Sequence, residues 1–156
     1  MHDPRNAASS LSSLSGTVLA FDFGTRKIGV AIGNTLTGMA RPLVTVRAAN
    51  RDQRIAALRP LVVEWEPVVL VCGRPVHADG TEHRVTALAD AFATELRETF
   101  DLPVDMVDER YTTELADVER AGRRQGERST AHDPGRDASA ARIMLQSWLD
   151  ARRSAS

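Results

Sequence analysis

The sequence predicts an α/β fold: a five-stranded mixed sheet, an antiparallel meander and then parallel strands, flanked by helices. Three observations carry that expectation. Residues 18–23 and 28–33 alternate like two short strands joined at Gly24-Thr25. Residues 68–72, Val68-Val69-Leu70-Val71-Cys72, form a continuous apolar run suited to a strand covered on both faces. Helical spacing appears from Asp52 and again on both sides of residues 104–107. Strands four and five are thus separated by a full helix, which makes them parallel through a right-handed crossover.

The elements follow in order. Residues 1–16 are rich in Ser, Ala and Asn and read as a disordered tail. In the first strand Val18, Ala20 and Asp22 share one face, and Leu19, Phe21 and Phe23 the other. The second strand has a bulky face (Ile28, Val30, Ile32) and a nearly bare one (Gly29, Ala31, Gly33), which lets a backbone or a ligand approach closely. Residues 38–42 read as a connection and 43–46 as the third strand. Ile55, Leu58, Leu61, Val62 and Trp65 outline a helix that Pro60 is expected to kink or divide. After the fourth strand a polar loop leads to a helix whose inner face is Val85, Leu88, Ala89, Phe92, Ala93 and Leu96. Asp79 or Thr81 can cap it, and Glu82 lies in its first turn. Residues 104–107 form the fifth strand, and Thr112 or Thr113 can cap a helix to about Ala121. An Arg-bearing loop precedes a last helix from near Pro134 to about Asp150, with Ala140, Ala141, Met144, Leu145 and Trp148 inward. One domain, residues 17–151, is expected, with a short tail at 152–156.

Composition narrows the function classes. The 156 residues suit one domain with a real core, and the formal net charge of −1 argues against a protein that coats nucleic acid through global basicity. No segment is long and apolar enough to span a membrane, and the polar start lacks a secretory centre. Cys72 is the only cysteine, which excludes an intramolecular disulfide and a cysteine knuckle. A soluble cytoplasmic protein is expected. His2, His77, His83 and His132 show no metal-ligand spacing and read as surface residues. Lys27 is the only lysine, a bias of codon usage more than of function.

Three carboxylates stand out by position. Asp22 lies in an apolar strand, where a carboxylate needs a cation, hydrogen bonds or a proton; its bland alternative is an Asx turn. Glu109 follows the C-terminal end of the fifth strand, where open α/β sheets place ligands, although alone it, like Asp108, reads better as a solvated strand-end charge. Asp137 begins the series of positions 137, 140, 141, 144, 145 and 148, one helical face. It could cap that helix, but Asp133 before Pro134 is the better cap. Carboxylates converging on one cleft repel unless a divalent cation neutralises them, and an all-oxygen set suits Mg²⁺ or Mn²⁺.

Five segments now occur in order: residues 22–29 (Asp22-Phe23-Gly24-Thr25-Arg26-Lys27-Ile28-Gly29), 71–75, 79–82, 108–113 and 137–141. With them the chain resembles the YqgF/RuvX family, described as pre-16S rRNA nucleases or Holliday junction resolvases, over about residues 18–150. The resemblance implies an RNase H-like fold, a cytoplasmic protein, and Asp22, Glu109 and Asp137 as the metal-binding catalytic carboxylates. Arg74 stands where the family usually has an apolar residue, Arg26-Lys27 reverses a common Lys-Arg order, and the loop before Asp137 is unusually charged. These departures bear on substrate choice.

The expected activity is metal-assisted phosphodiester hydrolysis with two Mg²⁺ or Mn²⁺ ions. Arg26, Lys27 and Arg110, with Thr25, Thr112 and Thr113 beside them, are candidate contacts to the nucleic-acid backbone; Arg123 and Arg124 could reach further along it. Few aromatics means recognition of shape and backbone over base stacking. Processing the 5′ end of precursor 16S rRNA, on a pre-ribosomal particle, is favoured by the resemblance. Resolution of four-way DNA junctions is the alternative and calls for a homodimer, whereas a trimming nuclease can be a monomer. Two other classes compete. Asp-x-Gly-Thr also occurs in actin-like ATPases, which need two lobes where this chain has room for one. A non-catalytic nucleic-acid-binding module is the other, and the presence of all three carboxylates speaks against it.

Overall fold

A computed structural model describes residues 14–75, 84–108 and 134–155, the last segment with side chains from 138 to 153. The elements are β1 (Thr17–Phe23), β2 (Lys27–Asn34), β3 (Met39–Arg47), α1 (Arg51–Trp65), β4 (Val69–Arg74), α2 (Arg84–Phe100), β5 (Val104–Asp108) and α3 (Pro134–Ala155). The sheet runs β3-β2-β1-β4-β5. The β1–β2 and β2–β3 pairs are antiparallel, and β4 lies parallel to both β1 and β5. This is the expected meander followed by parallel strands. The interior position of β1 explains why its sequence is apolar on both faces.

Alternation along β1 divides the core in two. Leu19, Phe21 and Phe23 join Val30, Leu70, Leu58 of α1 and Phe92 and Leu96 of α2 on one side of the sheet. The Phe92 ring stands edge-on to Phe21, with centroids 6.2 Å apart, and lies 5.0 Å from Phe23. On the other side Val18, Ala20, Val69 and Val71 pack under Ala141, Met144, Leu145 and Leu149 of α3. Small side chains on β2 let α3 close down. A Cβ on Gly33 would lie 3.0 Å from Leu145 Cδ2 and 3.1 Å from Leu149 Cδ1.

Several local expectations are corrected. The third strand begins at Met39, not Leu43, and the hairpin turn is confined to residues 35–38. Pro42 is accommodated because β3 is an edge strand and its register shifts opposite Val30 and Ala31, where no ladder N–H is needed. Pro60 does not divide α1, which runs as one helix with Pro60 on its exposed side. Its start is fixed reciprocally: Asn50 Oδ1 accepts from the Gln53 N–H at 3.0 Å, and Gln53 Oε1 from the Ala49 N–H at 2.8 Å. In α2 Leu88 is exposed, and Thr86 takes the inner position, donating its hydroxyl to the Pro75 carbonyl. Helix α3 continues five residues beyond Asp150. Near that end Arg152 Nη2 donates to the Leu14 carbonyl at 2.7 Å. Gly16 and Thr35 are also joined, N–H to Oγ1, at 2.9 Å. The caps expected at Asp79, Thr81 and Asp133, and the helix expected over residues 112–121, lie outside the described residues.

Candidate active site

Asp22 is the next-to-last residue of β1, half-buried, on the α3 face by the alternation that puts Phe21 and Phe23 on the other. Its antiparallel partner on β2 is Gly29. On the parallel side Phe21 pairs with Cys72, and one step further brings Gly73 level with Asp22. A carboxylate flanked by glycine on both neighbouring strands has no side chain beside it in the plane of the sheet. The result is a trough in the sheet surface, bare of side chains on either side of Asp22, of the kind that lets an ion or a phosphate oxygen approach.

The three parallel strands end at one edge, with Phe23, Arg74 and Asp108 as their last residues. Arg74 and Asp108 are paired in register on the α2 side. Arg74 is held there: its Nε and Nη2 donate to Asp90 Oδ1 and Oδ2 at 3.0 and 3.3 Å, a two-pronged pair with α2. The Arg at that position, unusual for the resembled family, thus has a structural partner away from Asp22.

Gly24 makes the β1–β2 turn possible, since a Cβ there would stand 2.6 Å from the Lys27 carbonyl oxygen. Thr25 and Arg26 are exposed and Lys27 is half-buried. The Ala48 N–H donates to the Arg26 carbonyl at 3.0 Å, tying the end of β3 to the turn. Lys27 is directly opposite Arg47, and Gly29 opposite Thr45. Sequence reading passed over Thr45 and Arg47, because their place beside the trough depends on a pairing between residues about twenty positions apart.

Helix α3 runs against β1. Its C-terminal end lies by Leu14, and Gln146 Nε2 donates to the Gly38 carbonyl at 2.8 Å, both at the edge remote from Asp22. Its N-terminal end therefore points to the Asp22 edge. Leu145 sits over Gly33, the partner of Val18. From there Asp137 lies eight residues back along the helix, about 12 Å, and Asp22 four residues along the strand, about 13 Å. Both elements therefore run towards the same edge of the sheet. Trp148 Nε1 fixes this arrangement by donating to Asp105 Oδ2 of β5 at 2.7 Å. Asp105 Oδ1 accepts from the Met106 N–H at 3.0 Å.

Of the expected site residues, Asp22, Thr25, Arg26 and Lys27 are described in full, and Asp137 as a position in α3 without its side chain. Glu109, Arg110, Thr112, Thr113, Arg123 and Arg124 lie outside the described residues. Among the described residues no group of three metal-ligating side chains assembles, since only one carboxylate of the expected set belongs to them. None of their helices is long and apolar enough to cross a membrane. A cavity of about 420 Å³ lined by Thr17, Asn34, Arg41 and Trp65 opens at the opposite edge of the sheet and plays no part in this site.

The sheet order, mixed strand directions and helices on both faces define the RNase H-like class. A solved structure titled "T. thermophilus RuvC in complex with Holliday junction substrate" shares this fold, with a TM-score of 0.54, 18% identity, and 88% of this chain and 96% of that one covered. The family model described as "RuvX: Holliday junction resolvase" matches residues 16–151, and the chain belongs to that family. Among its relatives, a protein of Dechloromonas aromatica is 47% identical over 135 residues, covering 86% of this chain and 91% of that protein. One from Burkholderia cenocepacia is 45% identical over 142 residues, covering 91% and 94%. Both carry the name "Putative pre-16S rRNA nuclease".

Proposed function

We propose that this chain is a metal-dependent endonuclease that hydrolyses phosphodiester bonds and trims the 5′ end of precursor 16S rRNA during ribosome biogenesis in the cytoplasm. The single observation that carries the reading is Asp22: a half-buried carboxylate at the C-terminal end of an interior strand, with glycine on either side. The trough fits an oxygen-ligated divalent ion, because bare glycines leave room for its hydration shell and Asp22 supplies a charged oxygen donor.

Asp22, Glu109 and Asp137 would hold Mg²⁺ or Mn²⁺. Bound ions of that kind lower the pKa of an attacking water and neutralise charge on the leaving oxygen, commonly as a pair about 4 Å apart. The chain's own residues do the rest. Asp22, between the two glycines, orients the site from the sheet. Asp137, on α3, and Glu109, the residue that follows β5 in the chain, are the other two proposed ligands. Thr25, Arg26 and Lys27 at the adjoining turn contact the phosphate backbone, as do Arg110, Thr112, Thr113, Arg123 and Arg124 further along the chain.

The relatives' names favour structured precursor RNA. The family description and the resolvase of known structure favour a four-way DNA junction, and on that second reading the protein acts as a homodimer, cutting two strands symmetrically. The deciding experiment offers a precursor 16S 5′ fragment and a four-way junction side by side, with Mn²⁺ or Mg²⁺ against EDTA. Metal-dependent cutting confined to the RNA supports the trimming role, and paired cuts in the junction support the resolvase. No cutting of either by folded, metal-supplied protein overturns the nuclease reading in favour of a binding module.

A further inference from the structure

Among the described residues, the strand register gathers cations on one side of Asp22. Lys27 and Arg47 are directly opposed on β2 and β3. Both lie on the α3 face, because Lys27 is two residues from Gly29, the partner of Asp22. The diagonal from Asp22 to Lys27 is about 7–8 Å between Cα atoms, within reach of a long side chain. Thr45, opposite Gly29, is two residues from Arg47 on β3, on the same face. On the other side of Asp22, Arg74 faces the opposite layer and is clamped by Asp90.

Lys27 and Arg47 thus present two cations at adjoining positions on one face of the sheet. A polyanion laid across that face would be attracted by both. The rim beside them is basic as well. Arg26 is exposed in the adjoining turn.

We infer that Lys27 and Arg47, with Thr45 beside Arg47 on β3, seat a phosphate of the nucleic-acid backbone, so that the bound strand leaves Asp22 across β2 towards the β3 edge. The inference deepens the proposed function and rests on it for the identity of the polyanion. It adds Arg47 and Thr45 to the interface and gives the substrate a direction over the sheet.

The test is the salt dependence of binding to labelled RNA and DNA oligonucleotides, which does not require catalysis. Variants Lys27→Gln, Arg47→Gln and Arg47→Lys are compared with wild type and with Arg97→Gln, an exposed residue on α2. Each lost contact should lower the slope of log K against log salt by about 0.7 for single strands or 0.9 for duplex. Arg47→Lys should keep the slope and Arg97→Gln should match wild type. In cleavage, Arg47→Gln should raise KM and leave kcat within about twofold, as loss of uniform binding does. An Arg47→Gln slope equal to that of Arg97→Gln overturns the seat, as does a wild type that binds neither polymer. If the slope falls in a protein that cuts neither substrate, the seat stands and the nuclease reading alone is lost. The RNA and DNA arms show which polymer the seat serves.

Discussion

The two faces of the sheet are built from the same strands and do different things. Towards α1 and α2, β1 presents Leu19, Phe21 and Phe23, which disappear into a dry aromatic and aliphatic layer. Towards α3 the same strand presents Val18, Ala20 and Asp22, so the apolar layer stops one position short of the strand end and gives way to a charge. Neighbouring strands repeat the contrast. Ile28 and Cys72 pair with residues of the first face, and Gly29 and Gly73 lie on the second. Stability is concentrated where side chains are large, and the proposed chemistry where they are absent.

This contrast can be broken from either face. The largest effect on stability is expected for Phe21→Ala, which removes a fully buried ring in contact with Phe92 and should cost about 3–5 kcal/mol by chemical denaturation. Cleavage per folded molecule should be unchanged at temperatures where the variant remains folded. On the second face Trp148→Phe deletes the donor to Asp105 and leaves a half-buried carboxylate short of a partner, an expected loss of about 1–3 kcal/mol. Cleavage should fall with it, since this bond sets α3 and hence Asp137. Gly33→Ala forces a methyl group against Leu145 and Leu149 and should destabilise by a similar amount, about 1–3 kcal/mol, with a loosened α3 visible in amide exchange. The smallest effect belongs to Arg74→Ala. Its pair with Asp90 is partly exposed and worth about 0.2–1 kcal/mol in a double-mutant cycle. Cleavage should be indifferent to it, which would sharpen the claim that this Arg belongs to the structural face.

Much of this arrangement is legible in the sequence because it is written in local periodicity. The alternation of residues 18–23, the one-sided second strand and the unbroken apolar run before Gly73 need no tertiary information. What escaped is non-local. A bulge opposite Val30 and Ala31 lets Pro42 sit within a strand, so β3 is longer than its residues alone imply. Thr86 is inward because the Pro75 carbonyl accepts its hydroxyl, a contact that helical spacing cannot reveal, and Leu88 is displaced outward. Asp105 looked like an ordinary strand polar residue until Trp148 came to meet it. Within the candidate site, Asp22 announces itself as a charge in an apolar strand. Arg47 has no such signature, because only register places it opposite Lys27.

The most direct test of the account measures two properties of one variant, Asp22→Asn: Mn²⁺-dependent cleavage and the midpoint of chemical unfolding. The account predicts that cleavage drops by more than about 100-fold, beyond the loss expected for a group that merely supports a metal ligand. Stability should move by no more than about 1 kcal/mol, the scale of a single hydrogen bond. A variant that still cuts, or one that stops cutting only because it no longer folds, would contradict the assignment of Asp22 to chemistry and the division of labour between the two faces.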